Sequence, residues 1–242
     1  MSAQPSPLLV DIGNSRIKYA FADDLSNMQI CHAVADLTPH LKKTSELWLS
    51  SVGQVSQVQQ LQTLAELHNV YLHIVSTQHH ACGLSFVYED ISTLGVDRWL
   101  AMIAARQEST KPVAVISLGT ANTCDILVEN QHQGGWITPG FSVMRESLLK
   151  HTAHVFADHK FPSSLSLGNK TQECVAMGCL ASQQGFVLMA NNYLKQHFAD
   201  YDIYLTGGAK DLVTELNLSN IRFFDSLVLC GLDHLRKKGN VN

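Results

Sequence analysis

The chain has 242 residues, 45% hydrophobic and 16% charged, enough for one large globular domain or two small ones. A formal net charge of −4 with no long basic run leaves no electrostatic footprint for nucleic acid, and no apolar run approaches the roughly 20 residues of a membrane-spanning helix. The opening MSAQPSP lacks the basic region and apolar core of a signal peptide, and the cysteines at 31, 82, 124, 174, 179 and 230 form no CxxC pair, so they read as reduced thiols of a cytoplasmic protein.

Apolar, β-branched runs predict strands at LLVDIG (8–13), IKYAFA (17–22) and ELWLSSVG (46–53). A helical pattern follows at 55–69, a strand at VYLHIVS (70–76), and a helix at GVDRWLAMIAARQES (95–109). Strands at VAVISLG (113–119) and TCDILVE (123–129) precede helices at 141–155 and 171–200. The second of these helices mixes small residues with Leu, Met and Val, which predicts burial along much of its length. Strands at DIYLTGG (202–208) and IRFFDSLVL (221–229) follow, and the basic LRKKGN (235–240) reads as a solvated helix end. Alternating strands and helices indicate an α/β architecture. LLVDIGNSRIKYAF and VAVISLGTANTCDILVEN each look like a strand, a glycine turn and a return strand, so the chain reads as a duplicated unit. The EST-KP break at 108–112 divides it into halves at 1–112 and 113–242.

Glycine turns after strands let backbone N–H groups approach an anion without a Cβ in the way. Two such turns at equivalent places, with a third at LTGGAK (205–210), suit a polyphosphate. Neither GxxxxGK[ST] nor GxGxxG occurs. In DIGN, the Asp11 carboxylate beside a phosphate-sized turn is useful only with a divalent cation and its waters between them, and Lys18 on the return strand supplies positive charge. In GVDRW, Asp97 sits in the first turn of a helix. Beside it, Arg98 can bind a carboxylate bidentately while Asp97 accepts a proton. The twelve histidines show no HExxH spacing, and those at 79–80 and 151–159 read as loop or surface residues.

These strings resemble the type III pantothenate kinases of the acetate-kinase, sugar-kinase, actin and heat-shock-chaperone superfamily. LLVDIGNSRIKYAF is similar to that family's first phosphate motif, and YEDISTLGVDRWLAMIAA to its Tyr-x-x-Pro-x-x-Leu-Gly-x-Asp-Arg substrate motif. SLGTANTCD is similar to the second phosphate motif, and GGWITPGFSVMRESLLKHTA to its Gly-Gly and Pro-Gly stretch. SLGNKTQECVAMG, YLTGGAK and LVLCGL follow in the family's order. The resemblance implies duplicated ribonuclease H-like (actin-like ATPase) domains, with a mixed sheet in each half and the active site in the cleft between them. It also implies ATP-dependent phosphorylation of pantothenate, the first step of coenzyme A synthesis, by a cytoplasmic homodimer. By position, Asp97 is the general base, and Tyr88, Gly95, Val96, Asp97, Arg98 and Thr171 form the pantothenate site. Asp11, Ile12, Gly13, Asn14, Ser15, Arg16, Ile17, Lys18 and Thr120 form the ATP-phosphate site. Asp11 lies on the side of Mg²⁺ or another divalent cation.

Two positions depart from the family pattern. Ile91 stands where the substrate motif has proline. Ser117 stands where the second phosphate motif has an aspartate, which in the family resembles a ligand for K⁺ or NH₄⁺. A neutral hydroxyl is a weaker ligand, so the expectation is that K⁺ binds weakly or is not needed. Asp125, across the predicted hairpin, is not expected to replace that aspartate. A nucleotide sensor on the same scaffold, or a sugar kinase or phosphatase, are the rival readings. Retention of Asp11, Asp97 and Arg98 together speaks against the sensor, and the carboxylate-suited YEDISTLGVDR against the others.

Overall fold

The computed structural model describes residues 5–151 and 161–239. Its elements in chain order are β1 (Leu8–Ile12), β2 (Ile17–Phe21), β3 (Gln29–Cys31), α1 (Thr38–Leu41), β4 (Glu46–Ser51), α2 (Val55–Leu67), β5 (Tyr71–Ile74), β6 (His80–Ala81) and β7 (Leu84–Ser85). Then come α3 (Val96–Glu108), β8 (Val113–Leu118), β9 (Ala121–Val128), β10 (Gln131–Pro139), α4 (Phe141–His151), α5 (Thr171–His197), β11 (Asp202–Thr206), β12 (Ile221–Phe223) and α6 (Leu227–Lys238). They form two compact units. The first comprises Met1–Glu108, Asn130–His132 and Asp225–Asn242, and the second Ser109–Glu129 and Gln133–Phe224.

In the first unit the sheet order is β3-β2-β1-β4-β5. β1 runs antiparallel to β2 and parallel to β4, so the sheet is mixed. Alternation along β1 sends Leu8, Val10 and Ile12 into a core with Leu47, Leu49, Leu61 and Ala65, on the α2 side. Leu9 and Asp11 therefore point to the other face, against which α6 packs, and α6 in turn packs on α3. α3 is buried on almost every side, from Val96 to Arg106, as expected of a helix enclosed in a core. These placements bring the first turn of α3 to the face of the sheet that carries Asp11.

In the second unit the order is β12-β11-β8-β9-β10, again mixed: β8 is antiparallel to β9 and parallel to β11. Ala114, Ile116, Leu118, Cys124 and Ile126 on one face pack against Val187, Ala190 and Leu194 of α5. Each unit thus contains a strand–turn–strand hairpin of the kind read from the sequence.

Two expectations fail. IRFFDSLVL is not one strand: the strand stops at Phe223, the Ser226 hydroxyl accepts a hydrogen bond from Leu229 N at 3.2 Å, and α6 begins at Leu227. A capping serine within an apolar run splits it into two elements. α5 is not buried along its length either. A stripe containing Cys179, Gln183, Val187, Ala190 and Leu194 is covered, while Leu188, Met189 and Tyr193 are exposed, because one face of the helix packs on the sheet. The basic cluster after Leu235 is the end of α6, as expected. Residues 152–160, which hold most of the 151–159 histidine stretch and the predicted end of the helix at 141–155, lie outside the described residues.

Candidate active site

The first unit gathers the first phosphate motif and the substrate motif. Asp11, the fourth residue of β1, pairs across the sheet with Lys18 of β2 on one side and Ser50 of β4 on the other. It is 7% exposed, and its Oδ1 accepts a hydrogen bond from Ser50 Oγ at 3.2 Å. Burial, and then the negative charge of Asp97, push its carboxyl up to about 7, against the opposing influence of Lys18 and Ser50. The turn after β1 is closed by Gly13 N donating to Arg16 O at 3.0 Å, which leaves Asn14, Ser15 and Arg16 exposed at its tip. Ile12 and Ile17 flank the turn as buried anchors. A second turn lies beside it, where Val52 N donates to Ile12 O at 3.0 Å.

Asp97 follows the entry to α3. Its Oδ1 accepts a hydrogen bond from Arg98 N at 2.9 Å, and it lies so close to Gly95 that a Cβ there would come within 2.5 Å of it. The carboxylate is folded over the start of its own helix, and a side chain at Gly95 would push it aside. Arg98, 7% exposed, donates from Nη1 to Tyr88 Oη at 2.8 Å, with its guanidinium carbon 5.7 Å from the tyrosine ring centre. Because Tyr88 Oη accepts from Arg98, its own O–H is available to donate. The loop between Tyr88 and Gly95 is shaped by Asp90, which accepts from Ser92 N at 3.0 Å and Ser92 Oγ at 2.6 Å. Ile91 opens the short 3₁₀ turn that follows, and Val96, the first residue of α3, is buried.

The second unit carries Ser117, Thr120 and Thr171. Thr120 is exposed at the tip of the β8–β9 turn. Two other turns reach this one: Gly140 N donates to Thr120 O at 2.9 Å and Ala209 N to Leu118 O at 3.0 Å. A Cβ at Gly140 or at Gly207 would collide with backbone of the same turn. Asn122, 1% exposed, exchanges amide hydrogen bonds with Gln183 of α5 at 2.7 and 2.9 Å and donates to Pro139 O at 3.1 Å. Ser117 pairs with Thr123 and Thr206, so one row of three strands carries three hydroxyl residues, and the buried Thr206 Oγ1 has no hydrogen-bond partner among the described residues. Asp125 is buried two rows away, opposite Val115. Thr171 is exposed as the first residue of α5.

Among the described residues no group of three or more His, Cys, Asp or Glu is placed to hold a metal, and no helix is long and apolar enough to cross a membrane. A cavity of about 500 Å³ lined by Pro7, Glu46, Tyr71, His73 and Arg236 lies elsewhere in the first unit: Glu46 begins β4, whereas Ser50 is near its end. Ser50, Asn122, Gln183 and His132, which stacks on Tyr88, were not singled out from sequence. The signal for Ser50 was present, since a polar pair ends the apolar strand ELWLSS much as DIGN ends LLV.

A family model described as type III pantothenate kinase matches residues 7–192. A type III pantothenate kinase of Pseudoalteromonas atlantica is 44% identical, with 96% of this chain and 98% of that protein aligned. One from Colwellia psychrerythraea is 31% identical over 93% and 98% of the two chains. The crystal structure of a conserved Baf family protein from Campylobacter jejuni superposes with a TM-score of 0.60 at 18% identity, covering 96% of this chain and 98% of that one, which extends the likeness to the fold.

Proposed function

The chain belongs to the type III pantothenate kinase family, with its actin-like ATPase fold, and on that premise we propose that Asp97 is the base for transfer of the ATP γ-phosphoryl group to the primary hydroxyl of pantothenate. The observation that carries this reading is the meeting of Asp97 with both motifs: Arg98 and Tyr88 beside it, and Asp11 near enough for the two charges to interact.

Asp97 accepts the hydroxyl proton as the oxygen attacks phosphorus. The O–P bond to ADP breaks, and the products are 4'-phosphopantothenate, ADP and a proton. The hydrogen bond from Arg98 N fixes one carboxylate oxygen, so the base is oriented before substrate arrives. The Arg98 guanidinium, held by Tyr88, receives the pantothenate carboxylate, with Gly95 and Val96 beside it. The turn from Asp11 to Lys18 receives the phosphates through backbone N–H groups and the Lys18 ammonium.

The residues fit a hard divalent cation. A buried carboxylate that burial and Asp97 hold toward its neutral form is one that an adjacent positive charge would return to the ionised form. Asp11 would hold Mg²⁺ or a similar ion through water, and that ion supplies charge neutralisation of the triphosphate. At Ser117 the available oxygens are neutral, which suits only a weak monovalent-cation site. The exposed Leu188, Met189 and Tyr193 of α5 support a homodimer. ATP turnover with pantothenate present, absent or replaced by a sugar tests the assignment, which requires turnover with pantothenate alone.

A further inference from the structure

We infer that His132 is a positioning residue of the acceptor site: its ring backs Tyr88, and Tyr88 holds the Arg98 guanidinium toward the substrate carboxylate. The inference rests on the reading of Arg98 as the carboxylate ligand.

Tyr88 lies in a loop, so neither a helix nor a strand of its own fixes its ring. Rigidity reaches it from a distant part of the chain. The start of β10 and the residue before it, Asn130–His132, belong to the first unit. It is anchored there by Ser85 N donating to Asn130 O at 3.0 Å and by the parallel pairing of Gln131 with Ser85. The strand start delivers His132 into the interior at 2% exposure. Its ring lies 5.8 Å from that of Tyr88 at an interplanar angle of 15°, a parallel stack, and 6.1 Å from Phe86. Phe86 is itself 5.9 Å from Trp99, the residue after Arg98 in α3. Tyr88 thus has one planar partner set by a strand and one hydrogen-bond partner set by a helix, and rigid elements hold a binding group more accurately than a loop does. A residue with this role sets how well the carboxylate is received, so it acts on acceptor affinity while leaving proton removal by Asp97 alone.

The test measures kcat and KM for pantothenate, for its alcohol analogue lacking the carboxylate, and for ATP, in wild type, His132→Ala, His132→Leu, His132→Phe and Arg98→Gln. Losing one aromatic stack predicts a rise of about five-fold in the pantothenate KM for His132→Ala and His132→Leu, with His132→Phe within about two-fold of wild type. The kcat, the ATP KM and the KM of the alcohol analogue are expected to stay within about two-fold in all three His132 variants. Leucine fills the site without a ring plane, so it carries the test if the alanine variant does not fold. An unchanged pantothenate KM, an equal rise for the alcohol or for ATP, or a phenylalanine variant as weak as leucine overturns the inference. A pantothenate KM that rises in Arg98→Gln but not in the His132 variants overturns the inference alone. One that does not rise in Arg98→Gln overturns the carboxylate reading and the inference with it.

Discussion

Ser50 Oγ donates to Asp11 Oδ1 at 3.2 Å across the parallel β1–β4 pair, in a place where burial and Asp97 hold the Asp11 carboxyl at about 7. Against an ordinary value of 3.8, the folded chain keeps a proton there that the unfolded chain has released. Folding takes up that proton between pH 3.8 and about 7, so stability associated with Asp11 is present below that window and lost as pH rises through it. Asp11→Asn removes the loss, which is at most about 4 kcal/mol. Denaturant unfolding with chelator present is expected to show wild type losing more stability than Asp11→Asn between about pH 4 and about pH 8. Equal losses in the two proteins would refute the linkage.

Gly95→Ala places a Cβ against the Asp97 carboxylate. The expected outcome is a folded enzyme whose kcat falls about 10²-fold, because a base displaced by about an ångström is badly aligned. Steady-state kinetics together with a thermal melt check this, and an unchanged kcat would show that the Gly95 contact does not position the base.

The strand–turn–strand hairpins at Asp11 and Thr120 were legible because each is local: an apolar run, a glycine turn and a return strand within a short window. Asp97 and Arg98 were legible for the same reason. Ser50 and His132 were not, since what makes them matter is the partner opposite, Asp11 across a parallel pair and Tyr88 across the join of β10 to β7. No residue-to-residue spacing encodes a register between distant strands. The start of α6 was hidden for another reason: FFDSLVL is apolar throughout apart from Asp225 and the Ser226 cap, and short apolar runs do not distinguish strand from helix. The long polar strand β10 carries two glycines and no regular alternation of apolar residues, so it was read only as a Gly-Gly stretch.

Asn122 and Gln183, both buried, share two amide hydrogen bonds beside the Thr120 turn. Truncating either to alanine leaves the other amide buried without its partner, at a cost of about 1–3 kcal/mol. The double variant Asn122→Ala/Gln183→Ala is expected to lose clearly less than the sum of the single losses in chemical denaturation. Strict additivity would mean that the pair is not coupled.

Ser117, Thr123 and Thr206 offer a monovalent cation hydroxyls without a negative charge. Turnover in K⁺, NH₄⁺ and Na⁺ buffers is therefore expected to agree within about two-fold, and Ser117→Asp to create a preference among the three ions. A strict requirement for K⁺ in the wild-type enzyme would contradict this.

The most direct test of Asp97 as the base is the kcat of Asp97→Asn for pantothenate-dependent formation of ADP at saturating substrates. Asparagine keeps the oxygen that accepts from Arg98 N but cannot take the hydroxyl proton at neutral pH. The account predicts a folded protein whose kcat falls by about 10²–10⁴-fold with the pantothenate KM little changed, and a kcat near that of the wild-type enzyme would contradict it.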